Sequence, residues 1–171
     1  EGYLVTSDTS RAAVLEARKV AKQHGVKMAM TFSDPSMATY FKVGLVEMLG
    51  EGVDVLFCNE EEAFAFTGKT NLKDAIQALK PLTQKLVITL GSEGALVVNA
   101  DNEVKIAAQA VKPLDTNGAG DMFAGAFLYG LTQGMTDAQA GALASKAAAQ
   151  IIQVYGARLD KQVHQELLKS V

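Results

Sequence analysis

The chain contains no tryptophan, one cysteine, three prolines and two histidines. A single cysteine excludes an internal disulfide framework and a cysteine-based zinc site, and it fits a reducing, cytoplasmic compartment. His24 and His164 are solitary and fall in stretches that read as helix, so they offer no metal-binding or catalytic pair. Positive charge is not in excess. Sixteen Lys and Arg stand against 19 Asp and Glu, a formal net charge of -3, so no basic stripe is present to neutralise a nucleic-acid backbone. No apolar run approaches the ~18 residues of a membrane span, and no basic-then-apolar leader opens the sequence. Internal repeats and low-complexity linkers are also absent.

What remains is 171 residues rich in alanine and glycine, 49% hydrophobic and 20% charged, a balance that suits one globular domain over residues 1–171. Tyr3–Thr6 read as a buried strand. EGYLVTSD thus opens inside an apolar core segment, and a piece of a longer chain is expected. Ser7, Asp8 and Thr9 offer N-cap oxygens to a helix with Ala13, Val14, Ala17, Val20 and Ala21 on one face, closed by Gly25. Val26–Phe32 read as a second strand, ended by a turn at Ser33–Ser36. A helix carrying Tyr40, Phe41, Leu45, Val46 and Leu49 follows.

Val53–Cys58 form a continuously apolar strand that runs into Asn59-Glu60-Glu61-Glu62 at the start of a short helix. Asn71 caps another helix. Lys85–Gly91 read as a strand, followed by the Gly91–Gly94 turn, the strand Ala95–Asn99, a turn at Asp101-Asn102 and EVKIAA. An Ala-rich helix from about Ala138 to Val154 and another from about Asp160 to Leu168 complete the chain. Strands alternating with helices predict an α/β, three-layer αβα architecture with a largely parallel central sheet, the ALVVN and EVKIAA pair forming an antiparallel edge.

The segment with the most chemistry is DTNGAGD, Asp115–Asp121, which opens directly into an apolar helix. A helix N-terminus presents free N–H groups and a positive dipole end, and Gly118 and Gly120 let the backbone approach an anion. Asp121 would repel a phosphate there unless it had chemistry to do, and Gly120 is expected at a crowded turn. Ligands in open α/β sheets bind at the carboxyl ends of strands, where Asn59–Glu62, Gly91–Gly94 and Asp115–Asp121 all fall. Each also has a purely structural reading. Acidic residues suit any helix's first turn, strand-to-strand turns favour glycine, and Cys58 suits a buried position as a small hydrophobe. Two common phosphate motifs fail. Thr67-Gly68-Lys69-Thr70 resembles the tail of a P-loop but Ala63 holds the first glycine position, and Gly118-Ala119-Gly120 is followed by Phe123 where a dinucleotide fingerprint needs glycine.

DTNGAGDMFAGAFL, VDVLFCNEEEA and VITLGSEGALV together resemble the ribokinase, or phosphofructokinase-B type, family of sugar and nucleoside kinases, over the whole chain and in the family's order. Within it, EGYLVTSDTSR and LFCNEEEAFAF look most like the adenosine-kinase-type nucleoside kinases. The resemblance implies an ATP-dependent kinase that phosphorylates a primary hydroxyl of a nucleoside such as adenosine or inosine, with a sugar kinase or a non-catalytic nucleotide-binding module as alternatives. It implies that Asp121 is the general base and that the N–H groups of Gly118, Ala119 and Gly120 form an anion hole. Asn59 and Glu62 would hold Mg2+ through water. Thr89, Gly91, Ser92 and Gly94 would line the ATP, with part of the Ala-rich helix near the base. Asp115 and the Asn117 carbonyl match positions that bind a monovalent cation, K+, in some members. The family's chains are roughly twice as long, so an N-terminal half with the lid and most of the acceptor site is expected to be missing and required. A homodimer is left open.

Overall fold

Five strands form the sheet in the computed structural model, which describes residues 1–100 and 102–169. They are β1 (Ala29–Thr31), β2 (Val53–Asn59), β3 (Thr83–Thr89), β4 (Ala95–Val98) and β5 (Glu103–Ile106), hydrogen-bonded in that order. β1 and β2 run parallel, with Ala29 opposite Val55 and Thr31 opposite Phe57. The short link from β4 to β5, where Asn99 N–H donates to the Asn102 carbonyl (3.0 Å), can join only antiparallel neighbours. Asp101 of the expected turn lies outside the described residues. The helices are α1 (Asp8–His24), α2 (Pro35–Tyr40), α3 (Lys42–Leu49), α4 (Glu60–Thr67), α5 (Leu72–Leu79), α6 (Ala119–Thr132), α7 (Asp137–Ile151) and α8 (Lys161–Lys169). The architecture is α/β, with a largely parallel sheet whose β4–β5 edge is antiparallel. The span expected as one domain holds two compact units. One is Glu1–Ile88 with Val98–Asn102, the other Thr89–Val97 with the chain from Glu103 onward.

In the first unit, local signals and burial agree over most of the chain. Ser7 Oγ accepts the Ser10 N–H (3.2 Å) to start α1, and Gly25 at φ 64° ends it. Asn71 Oδ1 accepts the Asp74 N–H (2.9 Å) to start α5. Val55–Cys58 of β2 are all buried, as a strand covered on both faces requires. They share a core with Phe32, Leu45, Leu49 and Leu79, and Phe32 stacks on Phe66 with ring centroids 4.4 Å apart.

Five readings of this unit change. Tyr3–Thr6 is not a strand but part of a 3-10 turn, Gly2–Thr6, whose buried residues Gly2 and Val5 are three apart. That is the 3-10 period, which a four-residue apolar run cannot reveal. The Val26–Phe32 strand shortens to Ala29–Thr31, with Val26 exposed. The expected Ser33–Ser36 turn becomes a helix start, since Asp34 Oδ1 accepts the Ser36 N–H (2.7 Å) and Pro35 occupies the first helical position. The single helix expected around Phe41 is two, α2 and α3, and leaves Tyr40 79% and Val46 48% exposed. No glycine or proline marks that break. On α1, only Ala21 of the expected apolar face is buried.

In the second unit Ala95, Leu96 and Val97 of β4 are buried, and α6 and α7 supply Phe127, Leu143, Ala144 and Ile151 to the core. Thr136 and Gln139 cap α7 reciprocally, Gln139 N–H to Thr136 Oγ1 at 3.3 Å and Thr136 N–H to Gln139 Oε1 at 3.0 Å. The two helices meet at Gly130, where an added Cβ would stand 2.8 Å from Ala140 Cβ and 2.9 Å from its Cα. Five residues earlier on α6, a Cβ on Gly125 would meet nothing within 4 Å.

These two glycines on one helix separate propensity from packing. Gly125→Ala should stabilise the chain by about 0.5–1 kcal/mol, the helix-propensity gain alone. Gly130→Ala should destabilise it, because an overpacking cost of about 1–3 kcal/mol against Ala140 outweighs that gain. Chemical denaturation midpoints check both. A stabilised Gly130→Ala would show that α6 and α7 are not in close approach.

Candidate functional site

The start of α6 is built by a turn that only glycine accommodates. Gly118 has φ 77°, and a Cβ there would lie 2.8 Å from Ala157 Cβ and 3.0 Å from its Cα. The turn is held from outside as well. The Asp115 carboxylate accepts the Asn117 N–H (3.0 Å) through Oδ1 and the Gly156 N–H (2.9 Å) through Oδ2. Those two N–H groups, Asn117 first, hold its pKa below the usual carboxylate range. Both Leu114 and Asp115 N–H groups donate to the Ile152 carbonyl, at 2.7 and 3.2 Å.

No side chain caps α6. The Ala119 N–H is spent on the Thr116 carbonyl (3.2 Å), whereas the N–H groups of Gly118, Gly120 and Asp121 have no acceptor among the described residues. A helix start with unsatisfied N–H groups is an anion site by geometry and dipole. Of the expected donors, Gly118 and Gly120 are available, Ala119 is engaged, and Asp121 N–H is added.

Gly120 itself is not crowded, contrary to the expectation for this turn. It lies in the first helical turn, and a Cβ there would meet nothing within 4 Å. The crowding is at Gly118. Openness at Gly120 has a different use, because Ala119, Gly120 and Phe123 form one wall of a cavity of about 390 Å3. Thr89, Gly91, Ser92 and Gly94 form another wall, and Ser145, Ala148, Ala149 and Ile152 of α7 a third. Six of the residues singled out in the sequence therefore share one cavity: Thr89, Gly91, Ser92, Gly94, Ala119 and Gly120. Gly94 is needed there at φ 97°, where a Cβ would collide with the Ile106 carbonyl. Ser145 is buried, and its hydroxyl donates to the Ala107 carbonyl at 2.8 Å. Small apolar walls around a few backbone donors, at this volume, suit a flat small molecule bearing an anionic group.

Asp121 does not line that cavity. Its side chain is exposed, has no hydrogen-bond partner among the described residues, and borders a second cavity of about 360 Å3 with Met122, Gly125 and Tyr129. Phe123 was missed from sequence, although its spacing of four from Ala119 puts both on one helix face.

Asn59 and Glu62 belong to the first unit and lock each other. Glu62 N–H donates to Asn59 Oδ1 (2.7 Å), while Asn59 N–H and Nδ2 donate to the two Glu62 oxygens at 3.0 Å each. The acidic run is thus a capping box, and Glu60 and Glu61 stay exposed. Glu62 is only 5% exposed, and burial pushes its pKa up to about 7, against the Asn59 N–H and with help from the Asp34 and Glu61 charges. Asp34 was also missed. The parallel register of β1 and β2 brings the segment after β1 to the same end of the sheet as Asn59. No group of three His, Cys, Asp or Glu among the described residues could hold a metal alone. A divalent cation near Glu62 would therefore need water and ligand oxygens to complete its shell, which the single buried carboxylate fits. Cys58 is buried and its thiol pKa raised by burial, so it is inert. His24 and His164 are exposed, and Gly68 ends α4 as a left-handed cap, which removes the P-loop reading. No helix of the described residues is long and apolar enough to cross a membrane.

The sheet and its helices define a ribokinase-like α/β fold with a phosphate-compatible helix start. Residues 1–163 match the family described as pfkB family carbohydrate kinase, and the chain belongs to it. It is 31% identical over 144 residues to a ribokinase from Lactococcus lactis subsp. lactis (strain IL1403), covering 84% of this chain and 45% of that protein. It is 33% identical over 138 residues to an adenosine kinase from Saccharomyces cerevisiae (strain ATCC 204508 / S288c), covering 71% and 39%. The crystal structure of adenosine kinase from Sinorhizobium meliloti superposes with a TM-score of 0.94 at 30% identity, over 99% of this chain and 53% of that one. The chain spans about half the length of the curated relatives it matches.

The buried Glu62 carboxyl gives a test by pH. Its folded value, about 7, lies above the usual carboxylate range, so the folded state holds this proton longer than the unfolded chain does. Stability from this group is complete below about pH 4.5 and falls as pH rises towards 7 and beyond, by on the order of 3 kcal/mol. Melting temperature should decline over that window in the unmodified chain, and Glu62→Gln should flatten the decline. An equal decline in both would assign it to another group.

Proposed function

We propose that the protein is an ATP-dependent kinase that transfers a phosphoryl group to a primary hydroxyl of a nucleoside of the adenosine or inosine type. The observation that carries this reading is the uncapped start of α6, whose Gly118, Gly120 and Asp121 N–H groups have no acceptor among the described residues and lie beside a cavity of about 390 Å3. Family membership supports phosphoryl transfer, and the adenosine kinase relatives support a nucleoside acceptor. The ribokinase relatives support a sugar acceptor as the second reading.

In the proposed reaction the acceptor hydroxyl oxygen attacks the γ-phosphorus of ATP, a new P–O bond forms, and the bond to the β-phosphate bridging oxygen breaks to release ADP. Asp121, exposed and without a hydrogen-bond partner among the described residues, takes the hydroxyl proton. Charge on the transferring group is met by the N–H groups of Gly118, Gly120 and Asp121, which are held in place before any ligand arrives. Thr89, Gly91, Ser92 and Gly94 line the nucleotide, and Ala148 and Ala149 leave room for a flat base. Glu62, oriented by Asn59, would hold Mg2+ through water. Asp115 and Asn117 are proposed to flank a K+ site. The Asp115 carboxylate is already shared by two N–H groups, so its first role is to hold the turn.

A coupled assay for ADP release, run on the full-length protein against nucleosides and sugars, tests the reading. Asp121→Asn should lower turnover by about 10²–10⁴-fold, the range for a lost general base, while ATP affinity stays within a few-fold. Unchanged turnover would remove Asp121 as the base, and activity on sugars alone would favour the second reading. The 171-residue chain alone should bind ATP yet transfer little phosphate. Robust transfer by it would show that the acceptor site is already complete.

A further inference from the structure

Apart from Asp121 and Thr132, every residue of α6 is apolar, aromatic or small. A helix without a polar side belongs in a place where it is covered all round. Within α6, however, only Phe123, Phe127 and Gly130 are buried, and they take up the side turned to the core. Met122, Gly125, Ala126 and Tyr129, spaced i, i+3, i+4 and i+7, form a second apolar stripe. Tyr129 is 40% exposed, Gly125 is exposed, and a Cβ on Gly125 would meet nothing within 4 Å.

That stripe is one wall of the cavity of about 360 Å3 that Asp121 borders, formed wholly within the second unit. Leu143 and Ala147 of α7 and Leu167 and Leu168 of α8 supply its other apolar walls. α8 buries no residue of its own and leaves Leu168 44% exposed. Three helices thus present apolar side chains to a groove that none of them fills. From Met122 to Tyr129 the groove runs about 10 Å along α6, the length of about two turns of a further helix.

Length points to the occupant. The chain spans 53% of the adenosine kinase on which it superposes and 45% of the ribokinase relative. A protein of that length carries a segment of similar size outside these 171 residues, and that segment needs an apolar surface to pack on. The groove is also continuous with Asp121, where the acceptor has to arrive, a link that rests on the reading of Asp121 as the base.

We propose that the groove between α6, α7 and α8 docks the apolar face of a helix from the part of the longer protein outside these 171 residues. Gly125 and Ala126 let the backbone of that helix come close, while Met122, Tyr129 and Leu168 flank it. The docked segment then stands beside Asp121 and closes the side of α6 that faces away from the cavity of about 390 Å3.

The test is photo-crosslinking of the full-length protein carrying p-benzoylphenylalanine in place of Tyr129, followed by proteolysis and mass spectrometry. The expected product joins position 129 to a peptide from outside the 171 residues and keeps the mass of one polypeptide. Where that variant does not fold, the same group in place of Leu168, on the α8 wall, makes the comparison. A product of dimer mass assigns a second copy to the groove, and crosslinks confined to residues 1–171 leave it without an outside segment. Either result, or the absence of any crosslink, overturns the proposal. Crosslinking needs no turnover, so a failed kinase assay and a failed docking result are told apart.

Discussion

The second unit turns on one backbone constraint, the left-handed Gly118 pressed against Ala157. With a side chain at 118, either the turn or the Ala157 segment would have to move, since a Cβ would stand 2.8 Å from Ala157 Cβ. The Asp115 carboxylate fastens the same two segments by bonding the N–H groups of Asn117 and Gly156. The result is a helix that begins abruptly, without a capping side chain, and leaves N–H groups unsatisfied where Ala119, Gly120 and Phe123 face a cavity. A capped helix would be more stable by about 1 kcal/mol, so the open start is a local cost that suits a ligand's anion better than a folding requirement.

The first unit holds a different kind of strain. Glu62 is buried beside Asn59, satisfied in its hydrogen bonds but short of compensating charge, which is why its proton is held to about pH 7. A capping box alone needs no burial. The acidic run of α4 is thus a stable helix start by its capping box, and burial of Glu62 is a feature that box does not require.

Much of the fold was legible because β2, β3 and the helix caps carry strong local signals, although on α1 the caps were right and the expected apolar face was not. Asn59, Asn71 and Gly25 cap where their side chains or backbone freedom allow. Legibility failed where the signal was short or tertiary. Tyr3–Thr6 offered four residues, too few to tell period two from period three, and the break at Phe41 carries no breaker residue. The cavity was legible in its glycines: Gly91 and Gly120 leave open space along its wall, and Gly94 stands where a Cβ would collide with the Ile106 carbonyl. Phe123 and Asp34 were not. One needed the helix face to be known, the other the parallel pairing of β1 with β2. Gly120 was assigned its position for the wrong reason, since it provides open space and Gly118 bears the crowding.

The central claim is that the start of α6 is the phosphate site. The most direct measurement is the change in backbone amide shifts of the 15N-labelled chain on adding ADP with Mg2+. The account predicts the largest downfield shifts at Gly118, Gly120 and Asp121, as their N–H groups gain charged acceptors, with smaller changes at Gly91 and Gly94. Saturable binding that leaves those three amides unmoved would contradict it.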